Sequence, residues 1–221
     1  MKQLPYTTSC RNRHGFTLIE LLTVIAVIAI LAGILIPAVG VVQNKARKAK
    51  TRAQFNQYAT ALEAFKGEYG FYPVFSNGGG GSQGDSVVEL HAGNNSQDFY
   101  EIMTGRDFRT GNTISTSSQA FRFNRKRLSF YSFSDQEIAD DEYASQYRIR
   151  EGSILTASGN WLIEYVADSN LNGIIAEENL TSFKTTARDD LGHDFQGGLV
   201  FYAKENKSEG FDFVSSVPGW D

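Results

Sequence analysis

Apolar and polar positions are laid out along the chain in three distinct ways. Residues 16–42 are apolar almost without interruption, and Glu20 is the one charged side chain among them. A helix of that length is about 40 Å long at 1.5 Å per residue, enough to cross a hydrocarbon core of about 30 Å. Phe55, Tyr58, Leu62, Phe65 and Tyr69 then recur at three- and four-residue steps. That spacing is the apolar stripe of an amphipathic helix, which Gly70 and Pro73 stop. Together the two stretches predict one helix over 16–69, with flexure at Gly33, Pro37 and Gly40.

Farther on, the pattern turns to short runs. Strand-like segments at 146–150, 161–167, 199–203 and 211–215 have few helical crossovers between them, so an antiparallel sheet is expected. A short helix is expected over 97–103, capped at Asn95 or Ser96 and anchored by Phe99 and Ile102. Phe121 and Phe123 alternate with polar residues as on a half-buried strand, and Leu128, Phe130 and Phe133 extend the apolar pattern. The acidic run 135–142 reads as a solvated loop. Residues 77–84, NGGGGSQG, read as a flexible linker. A phosphate cradle would need a following Lys-Ser/Thr and a strand-to-helix setting, and neither is present.

Composition narrows the classes. A chain of 221 residues allows one globular domain and an appendage. Its 41% hydrophobic content excludes wholesale disorder, and the polarity beyond residue 42 excludes a polytopic membrane protein. Cys10 is the only cysteine, so neither an intrachain disulfide nor a cysteine metal cluster can form. Three histidines, His14, His91 and His193, leave little material for a catalytic triad or a zinc site. No arrangement of nucleophile and base stands out, and no enzymatic role is expected.

The net charge of −4 hides a gradient. Lys2, Arg11 and Arg13 precede the apolar block, with no acid among residues 1–15. Lys45, Arg47, Lys48, Lys50 and Arg52 follow the block as a basic collar, and everything beyond Arg52 sums to −11. By the positive-inside rule, five bases after the span against three before it would hold the carboxyl-terminal side in the cytoplasm. The collar could also face acidic heads or phospholipid headgroups at close range.

A secretory signal peptide has a shorter apolar core and a small-residue cleavage site, so this segment is expected to stay in the protein. The junction Arg13-His14-Gly15-Phe16-Thr17-Leu18-Ile19-Glu20 resembles the processing site of type IV pilins and type II secretion pseudopilins. The resemblance covers about the first 75 residues well, including the Glu68-to-Pro73 junction, and the rest weakly. It implies that a membrane prepilin peptidase cuts between Gly15 and Phe16 and methylates the new amine. It also implies an α+β, pilin-like fold: a long amino-terminal transmembrane and stalk helix packed on an antiparallel β-sheet head. The corresponding division is a leader over 1–15, a membrane and filament-core helix over 16–42, a stalk helix over 43–70 and a head over 71–221.

The resemblance further implies the reverse orientation to the charge rule, with the head outside a bacterial inner membrane. Elementary energetics agree that Glu20 is functional. A carboxylate within a bilayer is disfavoured by about 2.5–3.5 kcal/mol even on lenient scales. Cleavage would create an α-amino group four residues away, largely protonated near neutral pH. Glu20 of one subunit can neutralise the amine of its neighbour, and such pairs set register.

A second site is expected at Asp168-Ser169-Asn170-Leu171-Asn172-Gly173-Ile174. Oxygen-bearing side chains at positions 1, 3 and 5 with Gly at 6 open a calcium loop, to which Ile174 would lend its carbonyl. Position 12 is Asn179 rather than Glu, so Glu177 or Glu178 would have to close the site. A turn held by Asx hydrogen bonds without an ion is the alternative. Large pseudopilin-like proteins carry a similar Gly-Asn, strand, Asp-rich-loop succession, here from Gly159-Asn160 to Gly173, and calcium-bound head loops occur in that family.

The function implied is a structural subunit of a type II secretion pseudopilus or a type IV pilus-like filament. Expected partners are a prepilin peptidase, other pilin or pseudopilin subunits and an inner-membrane assembly platform. The alternative is a tip or minor pilin that binds DNA, polysaccharide or a secreted protein through 77–84 and 121–127. Aromatic and basic residues interleave at 121–127 as they do on single-strand binders, yet the acidic head argues against polyanions.

Overall fold

The computed structural model describes residues 16–74, 85–147, 149–157, 159, 162–176, 195–207 and 210–216. The 77–84 linker, the leader, Gly15 and Glu177 lie outside these residues. The chain divides into two compact units, Met1–Lys45 and Ala46–Asp221.

Helix α1, Leu18–Tyr69, is assigned without a break across 52 residues, through Gly33, Pro37 and Gly40. Its start is two residues later than the hydrophobic pattern alone suggests, because Phe16 and Thr17 are non-helical. Within the first unit its large apolar side chains, from Leu18 through Val42, are exposed to the surroundings. One helix of the described residues is thus long and apolar enough to cross a membrane.

In the second unit the same helix carries the predicted stripe. Phe55, Tyr58, Leu62 and Phe65 are fully buried. They pack against a four-stranded antiparallel sheet of order β1-β2-β5-β6, formed by β1 (Ser86–Glu89), β2 (Ile163–Ala167), β5 (Leu199–Lys207) and β6 (Gly210–Ser215). The inward face of the sheet supplies Ile163, Tyr165 and Phe201; Phe55 stacks on Phe201 with ring centroids 5.7 Å apart. Truncating such a buried aromatic side chain costs about 3–5 kcal/mol. The other face buries Val166, Val200 and Tyr202 with Ile175. Ile175 belongs to a small ribbon of β3 (Ile174–Ile175) and β4 (Phe195–Gln196).

Between β1 and β2 the chain builds α2 (Asn95–Thr104), α3 (Gln119–Phe123), a 3₁₀ turn (Asp135–Glu137) and α4 (Asp141–Tyr147). Four expectations are corrected here. Helix α2 starts two residues before the expected 97, and Asn94, not Asn95 or Ser96, holds the cap position without a side-chain cap bond. Asn95 and Ser96 instead point back, donating to the carbonyls of Glu89 and Leu90. Phe121 and Phe123 lie on α3, not on a strand. Ser118 accepts the Ala120 amide and caps a single helical turn that period-two alternation cannot distinguish from a strand. Residues 146–147 end helix α4 instead of opening a strand, and the acidic run 135–142 is largely helical. Strand β1 was not legible as a strand, being only four residues long.

Candidate functional site

The amino-terminal site begins at Thr17. Its hydroxyl accepts a hydrogen bond from the Glu20 amide at 3.3 Å, while the Glu20 carboxylate accepts from the Thr17 amide at 2.8 Å and from its hydroxyl at 2.7 Å. This reciprocal arrangement is a capping box: the Thr-x-x-Glu spacing satisfies amides that a helix start otherwise leaves unpaired. The Thr23 hydroxyl donates to the Glu20 carbonyl at 3.0 Å. Glu20 is exposed, so its carboxylate is accessible to a partner from outside the chain. The Thr17/Glu20 spacing was available in the sequence as a capping signal, and hydrophobicity alone does not show it. Phe16 is also exposed, and Gly15 lies outside the described residues.

In the second unit, Asp168 follows β2 directly and is only 1% exposed. Its carboxylate accepts from the amides of Asn172 at 3.2 Å and Gly173 at 2.7 Å. The side-chain carbonyl of Asn170 accepts from the Asn172 amide at 2.9 Å, and that of Asn172 accepts from the Ile174 amide at 2.8 Å. Leu171 and Gly173 both have positive φ, 60° and 80°, which gives the loop its tight bend. The three oxygen-bearing side chains foreseen as ligands therefore converge on one loop, where each holds backbone amides. Ile174 opens β3 and takes its place in the ribbon. Glu177 lies outside the described residues.

Asp85 was missed by the sequence reading. It is 3% exposed, and its carboxylate accepts from the Ala176 amide at 2.8 Å. Ser86 faces Ala167 in the β1/β2 register, which sets Asp85 opposite Asp168 at the same end of the sheet. No sequence spacing links positions 85 and 168; only the antiparallel pairing brings them together. Among the described residues, no group of three or more His, Cys, Asp or Glu assembles to hold a metal ion. Asp168 with Asn170 and Asn172, and Asp85 beside them, are the oxygen donors the loop offers a hard cation.

A cleft of about 600 Å³ opens along α1, lined among others by Lys50, Gln54, Glu137, Asp140 and Tyr143. Its central acid is engaged. Glu137 accepts from Tyr58 at 2.8 Å, from Tyr131 at 3.0 Å and from Ser134 at 3.0 Å. Burial, together with the Glu137 charge, pushes the Tyr58 phenol well above its ordinary range. Tyr58 is thus a fixed donor, not a proton carrier near neutral pH.

Phe121 and Phe123 are half-buried against the core. The Arg127 guanidinium sits 5.0 Å over the Phe121 ring, and Lys126 pairs with Glu68.

Residues 10–36 match the family described as "Prokaryotic N-terminal methylation motif". No curated protein and no solved structure matches the chain.

Proposed function

We propose, from the premise that this amino terminus is that of a type IV pilin-like prepilin, that the chain is a structural subunit of an envelope filament, either a type II secretion pseudopilus or a related pilus. A prepilin peptidase cuts between Gly15 and Phe16, and the apolar helix leaves the bilayer for the filament core. The observation that carries the reading is a solvent-facing carboxylate at Glu20, on the first turn of a membrane-length helix inside the matched motif. In the isolated chain Thr17 occupies that carboxylate. In the filament the Phe16 amine of a neighbouring subunit competes for it, and its positive charge adds a Coulomb attraction that the neutral Thr17 donors lack. The head stands on the outer side of the inner membrane, facing partners in the periplasm.

The loop of Asp168, Asn170, Asn172 and Ile174, closed by Glu177, is a calcium site in this reading. Two buried aspartates at one sheet end, Asp168 and Asp85, support it, because adjacent carboxylates favour a divalent cation between them.

The test is made on protein from the native host. Mass spectrometry is expected to show a chain beginning at N-methylated Phe16. Glu20→Ala is expected to abolish sheared filaments while leaving the membrane-bound subunit cleaved and present. An uncut amino terminus, or filaments unaffected by Glu20→Ala, would overturn the reading.

A further inference from the structure

We infer that the basic segment just beyond the membrane-length part of α1 is a docking surface for anionic phospholipid headgroups. The inference rests on the membrane-anchored helix of the reading above and not on filament assembly, so the two can fail separately.

Lys45, Arg47, Lys48, Lys50 and Arg52 are five positive charges in close succession, and no Asp or Glu occurs between Glu20 and Glu63. A solvated helix is stabilised where acids stand three or four positions from its bases. Here those positions hold further bases: Lys48 after Lys45, Lys50 after Arg47 and Arg52 after Lys48. Like charges at such spacings weaken a helix, yet α1 runs unbroken through all five. Lys45, Arg47 and Lys50 are exposed, and none of the three makes an ion pair among the described residues. Their charge is therefore neutralised from outside the fold.

Placement along the chain identifies the partner. In the first unit the uncharged stretch 21–42 rises about 33 Å at 1.5 Å per residue, close to the thickness of a hydrocarbon core of about 30 Å. Lys45 follows about 5 Å beyond Val42, at the depth of the headgroup layer that brings the whole bilayer to about 40–45 Å. In the second unit Arg47, Lys48, Arg52 and Lys50 fall at about 0°, 100°, 140° and 300° around the helix axis, at 3.6 residues per turn. A protein partner would be met on one face, whereas charge on all sides suits a layer that surrounds the helix. Long, flexible stems let Lys and Arg carry their charges back to that layer. Thr51 is the first buried side chain of the described helix, at 0% exposed, so the bases through Lys50 stand ahead of its packed part.

The rest of the chain makes an anionic membrane a poor neighbour. The −11 charge beyond Arg52 is repelled by acidic lipids, as it is by any polyanion in solution. The basic segment reverses the sign at the place where the chain leaves the bilayer. Attraction there acts within a Debye length, about 10 Å at 0.1 M salt, which a headgroup beside the helix satisfies and a dissolved polyanion reaches only past the acidic head. Headgroup binding thus fixes the depth of the helix and opposes withdrawal of the subunit from the bilayer.

The experiment uses the full chain in phosphatidylcholine vesicles, with a trace of spin-labelled phosphatidylglycerol or spin-labelled phosphatidylcholine as probe. Electron paramagnetic resonance reads the share of each probe immobilised at the protein. Phosphatidylglycerol is expected to be favoured about threefold or more in 0.1 M salt, and to lose most of that preference in 1 M salt, where the Debye length falls to about 3 Å. Lys45→Gln, Arg47→Gln and Lys50→Gln together are expected to bring the two probes to parity, and Lys45→Arg with Lys50→Arg to keep the preference. Unchanged thermal unfolding checks that the triple variant folds, and Lys45→Gln with Arg47→Gln, expected to lower the preference, replaces it otherwise. Equal immobilisation of both probes by the parent overturns the inference, as does a preference that survives the triple variant. A preference removed instead by Arg11→Gln with Arg13→Gln belongs to the leader, and one removed by Arg122→Gln with Arg125→Gln belongs to the head; either overturns it. Release of the chain from the vesicles by alkaline carbonate removes the membrane anchor itself, and the inference with it.

Discussion

At the scale of single residues, two acids show how context decides what a carboxylate does. Glu20 is exposed, and its bonds are local, to a residue three positions earlier. Asp168 is buried and holds the amides of Asn172 and Gly173. Removing the Asp168 carboxylate leaves the Gly173 amide without its acceptor, while the Asn172 amide keeps the Asn170 side chain. A hydrogen bond to a charged group is worth about 1.5–3 kcal/mol. Asp168→Ala is therefore expected to lower the thermal unfolding temperature of the detergent-solubilised chain with or without calcium. If calcium binds, adding it raises the unfolding temperature of the parent and not of the variant; an equal response from both would remove the ion from the proposal. The Asp-x-Asn-x-Asn-Gly spacing made this loop legible because its hydrogen bonds span only two to five residues. Asp85 was illegible for the opposite reason, since its partner loop lies some 90 positions away through a strand register.

Among the elements, α1 was the easiest to read. Its two hydrophobic patterns are long, and the buried stripe of Phe55, Tyr58, Leu62 and Phe65 follows them. The short elements between β1 and β2 were the hardest, because three to ten residues carry too few periods to separate helix from strand. Tertiary contacts set them instead. Gly105 is the clearest case. It closes α2 at φ 68°, and a Cβ there would lie 2.5 Å from the Arg127 carbonyl oxygen. Gly105→Ala combines a left-handed penalty with a backbone collision, and is expected to destabilise the second unit by more than about 1 kcal/mol. Chemical denaturation with fluorescence detection measures this; a neutral result would mean that the α2–Arg127 junction can open without cost.

At the scale of the molecule, the packed core of the described residues lies in the second unit. Every residue of the two hydrophobic clusters lies at or beyond Phe55. The α+β architecture and the membrane-length helix could be foreseen, because both follow from long-range changes in hydrophobic pattern. The order β1-β2-β5-β6 could not, since strand order depends on pairings that no local pattern encodes. A chain starting at Ala46 is expected to be monomeric in solution and to unfold in one cooperative transition. Circular dichroism melting checks this, and a broad, non-cooperative loss of signal would show that the first unit contributes to the fold.

Among the described residues, the side-chain bonds that cap the start of α1 run between Thr17 and Glu20. The proposed cleavage ahead of Phe16 would therefore take nothing from them. In the proposed filament Thr17 is in this sense a placeholder: it occupies the Glu20 carboxylate of the free subunit and would yield when a neighbour's ammonium group arrives. On that proposal, subunits waiting in a membrane would form a quiescent reservoir, recruited without an unfolding step.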